Sequence, residues 1–434
     1  MSETGQQPSY LLGQRLTLPC GAVLPNRIVK SAMSEGLADG AGRATPRHAT
    51  LYNRWGAGGA GMLITGNVMV DRQHLENAGN ICIDGPQDDS AMNALRAVSA
   101  AGKSAGAVMV MQLNHAGRQV PRAINPHPKS ASDVALLLGK RFAKPTPMSG
   151  GEVEDVIARF VHGARVAQDS GFDGVQVHGA HGYLVSQFLS PLTNRRSDQW
   201  GGSLADRVRL LLELIRRIRS ACGTRFIVGV KLNSADFQRG GFSEDDSVQV
   251  AAWLEGAGAD FIEVSGGNYE QPRMMNIDRL DPLATRRDTT RLREAYFMDF
   301  APRLRRATTL PIMVTGGFRT ATTMARALVD GVDLIGLARP MTMAPQCPAT
   351  LLEGQSEPLN RRESDLSLGP GWLGPNSPVS MIRDLNAAGI MAWYTQQITN
   401  LADGGEPDGS LPLWRALRGY IQKEKSALAA LKQT

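Results

Sequence analysis

An α/β fold, specifically a (β/α)8 TIM barrel with a C-terminal helical extension, is predicted by three features of the sequence. Eight short apolar runs bounded by Gly and Pro alternate with helical patterns, and eight is the number of strands that closes a barrel. Three of the runs share an entry, Gly171-Phe-Asp, Gly258-Ala-Asp and Gly331-Val-Asp, as if one helix-turn-strand unit recurred. The chain has 434 residues, enough for one large core with an appendage.

The predicted strands are, in order, Pro25 to Ala32, Met62 to Thr65, Ala107 to Gln112, Gly174 to His178, Ile227 to Lys231, Phe261 to Val264, Pro311 to Val314 and Leu334 to Leu337. Most are near-continuously apolar, as strands covered on both faces must be. The clearest helix runs from Ser203 to Ala221, opened by Ser203 with Asp206 three residues on, the spacing of a capping box. An open doubly wound sheet would be built from similar units, so the repeat alone leaves closure open. The proline-bearing stretch Pro121 to Gly150 reads as a long loop after strand three, bordering the mouth of the site. We divide the chain into a barrel over residues 1–345 and an extension over 346–434, with helices from Ser380 to Asn400 and from Leu413 onward.

Composition narrows the class. The chain is 42% hydrophobic and 20% charged, which reads as a globular protein. The opening residues are polar and do not read as a signal peptide, and no run reaches membrane-spanning length. Four scattered cysteines, without metal-ligand spacing, suit a reducing cytoplasm. Net charge is +6, but the basic residues are dispersed, so small anions are favoured over nucleic acid. Membrane partners are not expected, and association into a homo-oligomer is left open.

Gly56-Ala-Gly-Gly-Ala-Gly61 matches a dinucleotide-binding fingerprint but precedes a strand instead of following one, so we set it aside. The phosphate signal is elsewhere. Strand seven ends in Thr315-Gly316-Gly317-Phe318, and strand eight in Gly336-Leu-Ala338-Arg339-Pro340. Barrels commonly seat a phosphate between these two loops, where glycines let backbone N–H groups approach and an arginine offers a bidentate fork. Polar residues also stand at other strand ends: Gln112-Leu-Asn-His115-Ala-Gly-Arg118, His178-Gly-Ala-His181-Gly-Tyr183 and Lys231-Leu-Asn233. The two histidines, three apart, suit a pair of donors on a substrate oxygen, with Tyr183 as proton donor. A metal site would need a further ligand, and none with the right spacing adjoins them, so no metal is expected.

These motifs identify a resemblance. The chain resembles the Old Yellow Enzyme family of FMN-dependent ene-reductases and NADH:flavin oxidoreductases, from about Leu16 to Pro340. The match rests on Asn26-Arg-Ile-Val29, Gln112-x-x-His-Ala-Gly-Arg118, His178-x-x-His-Gly-Tyr183, Leu189-Ser-Pro-Leu-Thr-Asn-Arg195, Asp198-Gln-Trp-Gly-Gly202, Gly316-Gly317 and Ala338-Arg339-Pro340.

The resemblance implies an FMN site in which Ala32, Met33 and Ser34 lie along the ring, with Gly66 and Gln112 approaching or hydrogen-bonding it. Lys231 would sit beside N1, and Gly317, Ala338 and Arg339 would hold the phosphate. His178 and His181 would bind the substrate's electron-withdrawing oxygen and Tyr183 would supply the proton. The implied reaction is ping-pong reduction of an activated alkene, a small molecule such as an enone or enal, with NADH or NADPH as reductant. Two departures stand out: Lys231 occupies a position that is usually arginine, and Ser34 one that is often Thr or Cys. With Cys347 the single cysteine of its region, neither an iron–sulfur cluster nor a second nucleotide domain is expected.

Three rivals stay open at this point. A flavin barrel acting on RNA, of the dihydrouridine synthase type, would need a cysteine acid, and none is expected near the strand ends. A flavin-free aldolase or isomerase would use Lys231 as a Schiff-base nucleophile. A non-catalytic flavin-binding protein would not need the polar set.

Overall fold

The structure is a computed structural model and describes residues 7–136, 138–265, 300–355 and 357–433. Eight parallel strands form the barrel: β1 (Ile28–Lys30), β2 (Met62–Met69), β3 (Val108–Asn114), β4 (Gly174–Gly179), β5 (Ile227–Asn233), β6 (Phe261–Ser265), β7 (Ile312–Thr315) and β8 (Leu334–Leu337). Closure is direct. Strand β1 pairs on one side with β8, Ile28 opposite Ile335, and on the other with β2, Val29 opposite Met62. The alternative of an open sheet is thereby removed.

Helices α1 (Pro46–Gly56), α2 (Asp89–Lys103), α3 (Gly150–Asp169), α4 (Arg209–Cys222), α5 (Glu244–Ala257) and α6 (Ala321–Val329) lie outside the sheet. The helix expected from Ser203 is interrupted: a single turn, Leu204–Arg207, precedes α4. Its cap is present, with Asp206 N–H donating to Ser203 Oγ at 3.2 Å. Gly56 ends α1 and Met62 starts β2, so the glycine run between them joins a helix to a strand and cannot form a dinucleotide turn. There the glycines let backbones touch: a Cβ on Gly61 would lie 2.6 Å from Asn26 O.

The recurring Gly-x-Asp entry has a physical explanation. Gly171, Gly258 and Gly331 take left-handed φ values of 84°, 94° and 100°, which end the preceding helix. The aspartate two residues on then makes a reciprocal pair with the neighbouring strand. Asp173 N–H donates to Met109 O, and its carboxylate accepts Met109 N–H at 2.8 Å. Asp260 does the same with Val228 at 2.7 Å and Asp333 with Ile312 at 2.9 Å. Each unit therefore pins the foot of the strand beside it, where a central sheet would otherwise leave polar backbone groups unpaired.

Inside the barrel, side chains change character with height. Alternate residues point inward along each strand. The lower interior is apolar: Val29, Met62, Ile64, Val110, Ile227, Phe261, Met313 and Leu334 are fully buried together, closed below by Leu18 and Leu24. Further up, the inward positions of the eight strands present Ser31, Gly66, Gln112, Gln176, Lys231, Glu263, Thr315 and Gly336. The barrel thus has an apolar floor and a polar ceiling, and the ceiling faces the C-terminal ends of the strands, where this architecture carries its sites.

Beyond β8 the chain continues through helices α7 (Ser380–Ala402) and α8 (Leu413–Leu431). Trp393 and Tyr394 of α7 pack with Leu413 and Ala416 of α8. Helix α8 also reaches the loops above the barrel: a Cβ on Gly40 would lie 2.8 Å from Ala430 O, and Leu431 packs against the apolar cluster that contains Tyr183.

Candidate active site

The polar ceiling is one connected hydrogen-bond system. Lys231 Nζ donates to Glu263 Oε1 at 2.9 Å, and Thr315 Oγ1 donates to the same oxygen at 2.7 Å. Because the Thr315 proton is thus committed, Ser31 Oγ is the donor in its 2.9 Å contact with Thr315. Glu263 Oε2 accepts from Gln176 Nε2 at 2.8 Å, and Gln176 Oε1 accepts from Gln112 Nε2 at 2.6 Å. Glu263 is fully buried and Lys231 nearly so, an arrangement tolerable because the charges face each other and the carboxylate accepts hydrogen bonds from Lys231, Thr315 and Gln176.

A second charged group lies under the loop after β1. Lys30 is fully buried; its ammonium donates to Ile64 O at 2.7 Å and stands 4.3 Å over the Trp55 ring. Burial lowers its pKa to about 8, against the opposing pull of Glu35 and Glu263. Glu35 accepts the Tyr52 hydroxyl at 2.5 Å and the Gly66 N–H at 2.9 Å. Gly66 sits in a bulge of β2, where the register against β3 shifts between Ile64 and Asn67 and Thr65 Oγ1 takes the Gln112 N–H at 2.9 Å. A side chain on Gly66 would collide with Met33 O and Glu35 Oε2. Gly66, Met33 and Gln112 are therefore brought to one place.

Ala32 and Met33 follow β1 directly, and Ser34 Oγ donates to Glu76 Oε2 at 2.8 Å. At β4 the ring centroids of His178 and His181 lie 5.0 Å apart and those of His178 and Tyr183 4.8 Å apart, both edge-on. His181 has a left-handed φ of 60°, its N–H donates to Asn233 Oδ1 at 3.2 Å, and its Nε2 meets Ser265 Oγ at 2.6 Å. His178 Nδ1 accepts Ala180 N–H at 3.2 Å, which leaves Nε2 as the protonated nitrogen of a neutral ring. Burial, then the His181 and Lys231 charges, hold His178 well below the usual histidine range. Burial and Lys231 bring His181 down to about 3.

At the other side of the mouth, Gly316 and Gly317 take φ values of 104° and 86° and lead to Thr320, which caps α6 through a 3.2 Å bond from Thr323 N–H. Ala338 and Arg339 follow β8, and Arg339 Nη1 lies 3.4 Å from Glu363 Oε1 and over the Tyr394 ring. Glu363 also takes Arg319 at 2.7 Å and the Tyr394 hydroxyl at 2.5 Å. Although burial acts to raise it, Arg339 and Arg319 hold the Glu363 carboxyl at about 2. The extension thus supplies the counter-charge for this corner.

All twelve residues expected from the sequence lie at the C-terminal end of the barrel strands or in the loops that follow them. Missing from the expectation were Glu263, Gln176, Thr315, Ser265, Glu35 and Lys30. Glu263 and Gln176 left a signal, since each interrupts an otherwise apolar strand at an inward position. The partners supplied by the extension, Glu363 and Tyr394, left none.

The absence of a cysteine near the strand ends needs correction. Ile81–Cys82 forms a small strand beside β2, Met69 opposite Cys82, and Cys82 packs in the cluster that holds Tyr183. Its thiol is buried, which pushes its pKa far up and suits packing instead of acid chemistry. Among the described residues, the candidate metal ligands that converge are Asp71, His74 and His115, and not the His178–His181 pair. They are held as a hydrogen-bonded knot. His74 Nε2 accepts Lys129 N–H at 2.9 Å and His115 Nδ1 accepts Gly117 N–H at 3.1 Å, so the nitrogens facing Asp71 carry the protons. Those nitrogens lie 2.7 and 3.4 Å from Asp71 Oδ2. The remaining motif loops are knitted to one another: Asn194 Nδ2 donates to Phe188 O and Trp200 O, and Arg118 Nη1 to Val134 O and Ala135 O.

A parallel barrel with a polar ceiling, a glycine turn after β7 beside Arg339 after β8, and a histidine pair at β4 is the arrangement expected of an FMN-dependent oxidoreductase, and the family match bears that class out. The chain belongs to the NADH:flavin oxidoreductase / NADH oxidase family, whose profile matches residues 20–357. The Old Yellow Enzyme membership expected from the motifs is thereby met. The NADH-dependent flavin oxidoreductase iliE of Hypocrea jecorina is 36% identical over 78% of the chain and 88% of its own length. The NADH-dependent flavin oxidoreductase iccE of Talaromyces variabilis is 33% identical over 91% of the chain and 99% of its own length. The chain spans about half, 46%, of the Neonectria iliE, at 38% identity over 78% of the chain. Among solved structures, an Old Yellow Enzyme homologue from Zymomonas mobilis shares the fold with a TM-score of 0.66 at 22% identity, covering 81% of this chain and 95% of that one. Among the described residues, no helix is long and apolar enough to cross a membrane.

Proposed function

We propose that this chain is an NAD(P)H-dependent reductase of electron-poor alkenes, in which His178 and His181 grip the activating oxygen and Tyr183 delivers a proton. The carrying observation is the edge-on cluster of these three rings at the end of β4, on neutral histidines.

The residues suit FMN. Gln112 Oε1 accepts no hydrogen bond among the described residues while its Nε2 is committed to Gln176, so an acceptor is left for a donor on the ring. Gly66 has no side chain because Met33 O and Glu35 Oε2 fill that place, which seats the loop after β1 against β2 beside Gln112, and Gly316-Gly317 with Arg339 make an anion cradle. FMN bound there would supply two-electron transfer between the nicotinamide and the substrate. Ala32, Met33 and Ser34 would border it, Lys231 would lie on its pyrimidine side, and Gly317, Ala338 and Arg339 would receive the phosphate.

Toward the substrate, His178 offers Nε2–H as a donor to a carbonyl or carboxylate oxygen. His181 has Nε2 engaged by Ser265, so Nδ1 is the nitrogen left for the same oxygen. Polarising that oxygen draws electron density from the alkene, making its β-carbon the hydride acceptor and its α-carbon the proton acceptor. Tyr183, stacked edge-on to His178, is the acid for the second step.

The test is to purify the protein, reconstitute it with FMN, and follow oxidation of NADH and of NADPH with cyclohexenone, maleimide, RNA or oxygen as acceptor. A cyclic enone accelerating turnover above the oxygen rate supports the reading. Reoxidation by oxygen alone would refute the alkene assignment, and colourless protein that takes up no FMN would refute the whole of it.

A further inference from the structure

We propose that Glu263 is a positioning residue that sets both the net charge and the hydrogen-bond polarity on the side of the FMN pocket formed by Lys231 and Gln112. The inference rests on the flavin reading above and adds to it a residue that touches neither cofactor nor substrate.

Polarity comes first. An ammonium can only donate, and Lys231 Nζ and the Thr315 hydroxyl both donate to Glu263 Oε1. The carboxylate is therefore an acceptor, and its other oxygen requires the NH2 of Gln176. That orientation turns Gln176 Oε1 toward Gln112 and requires the Gln112 NH2 in turn. A carboxamide can be built either way round, but one end of this chain is a carboxylate, so each link has a single orientation. The result is that Gln112 presents its carbonyl oxygen to the pocket. An imide-type N–H, which the pyrimidine edge of a flavin carries, is the matching partner.

Charge comes second. A free cation beside the flavin would favour the reduced, more negative form over the oxidised one. Here the Lys231 ammonium is 2.9 Å from a fully buried carboxylate, with no bulk water between them to weaken the interaction. The pair is close to neutral as seen from the pocket, so the bias toward reduced flavin is smaller than the lysine alone would give. Glu263 thus acts as the counterweight to Lys231, in a position where the ladder places the two residues directly opposite each other on β5 and β6.

The two roles are tested by measuring the reduction potential of bound FMN in the holoenzyme. E263Q removes the counter-charge and should raise the potential, favouring reduced over oxidised FMN by at least ~10-fold, which for two electrons is about 30 mV. K231M should move it the opposite way, and K231M/E263Q should return it close to wild type. The double variant removes both buried charges, so it folds even if E263Q, which strands an ammonium, does not; in that case a potential higher in K231M/E263Q than in K231M is the supporting result. Q176L cuts the polarity chain without altering charge and should weaken FMN binding while leaving the potential near wild type. Shifts of the same sign in E263Q and K231M, or no shift in either, would overturn the proposal while leaving the flavin reading intact. A wild-type chain that binds no FMN would overturn both.

Discussion

Lys423 Nζ donates to the carbonyl oxygen of Glu35 at 3.1 Å, joining residues 388 positions apart in sequence. A second bond at 3.2 Å runs to Thr399 Oγ1 on α7. Helix α8 is therefore fastened to the loop that follows β1, beside Met33 and Ser34. Replacing Lys423 by Met should cost ~1–3 kcal/mol, the usual worth of a charged hydrogen bond lost from a mostly buried position. Urea unfolding of the two proteins checks this, and equal midpoints would contradict it.

The neutral histidines predict a direction for acid stability. His181 at about 3 and His115 at about 4 sit below the 6.5 of an unfolded chain, the first through burial and Lys231, the second through burial and His74. Between those limits the unfolded chain binds more protons than the folded one. Stability is full above about pH 6.5 and falls as the pH drops from there toward 4, by ~1.4 kcal/mol per pH unit for each such histidine. The same shift predicts that the alkene half-reaction has no inflection near 6.5 from the histidine pair. A pH series of thermal unfolding and of turnover measures both.

Tyr183 separates the two half-reactions. Y183F should leave flavin reduction by NAD(P)H unchanged and slow reoxidation by an enone by ~100-fold or more, the ordinary contribution of a positioned acid. Rapid mixing resolves the two steps. An equal loss in both would assign Tyr183 to packing, consistent with its burial against Met69 and Val120.

Gly66→Ala should be among the most damaging single-methyl changes in the protein. The new Cβ would press on Met33 O and on Glu35 Oε2, whose carboxylate is held through Oε1 by Tyr52 and the Gly66 N–H. Overpacking of this kind costs ~1–3 kcal/mol, and FMN affinity should fall with it, measured by flavin fluorescence on titration of the apoprotein.

Asp71, His74 and His115 give a negative control. Metal coordination would place the ring protons on nitrogens that already face backbone N–H groups. Zinc or a chelator should therefore leave the melting temperature where it was.

Much of the barrel was legible because its signals are local. Glycine needed a left-handed φ at 171, 258 and 331, and the aspartate two residues on needed a neighbouring strand amide, so a repeat appeared in the sequence itself. The site residues at strand ends were visible for a related reason: polar residues stand out at the end of an apolar run. What the chain did not disclose was who faces whom. Lys231 looks the same in a sequence whether or not Glu263 stands opposite, because the ladder register that joins them depends on the whole barrel. Glu363 and Tyr394 were harder still, since they come to Arg339 from outside the repeat, through loops whose path no periodicity describes. Cys82 shows the same limit: a two-residue strand set it near Tyr183, and so short a strand carries no pattern.

The barrel ceiling and the loop beside it hold two ammonium groups, Lys30 and Lys231, and two carboxylates, Glu35 and Glu263, each less than 7% exposed. This balance has a consequence for descent. A single charge-changing mutation at any of the four strands an ion in the interior, whereas a double change that removes one of each sign does not. Relatives should therefore differ at these positions in pairs, and chains carrying a neutral residue at 231 should more often carry one at 263 as well. An alignment of the family would reveal that coupled drift as a correlation between two columns that are distant in sequence and adjacent in the sheet.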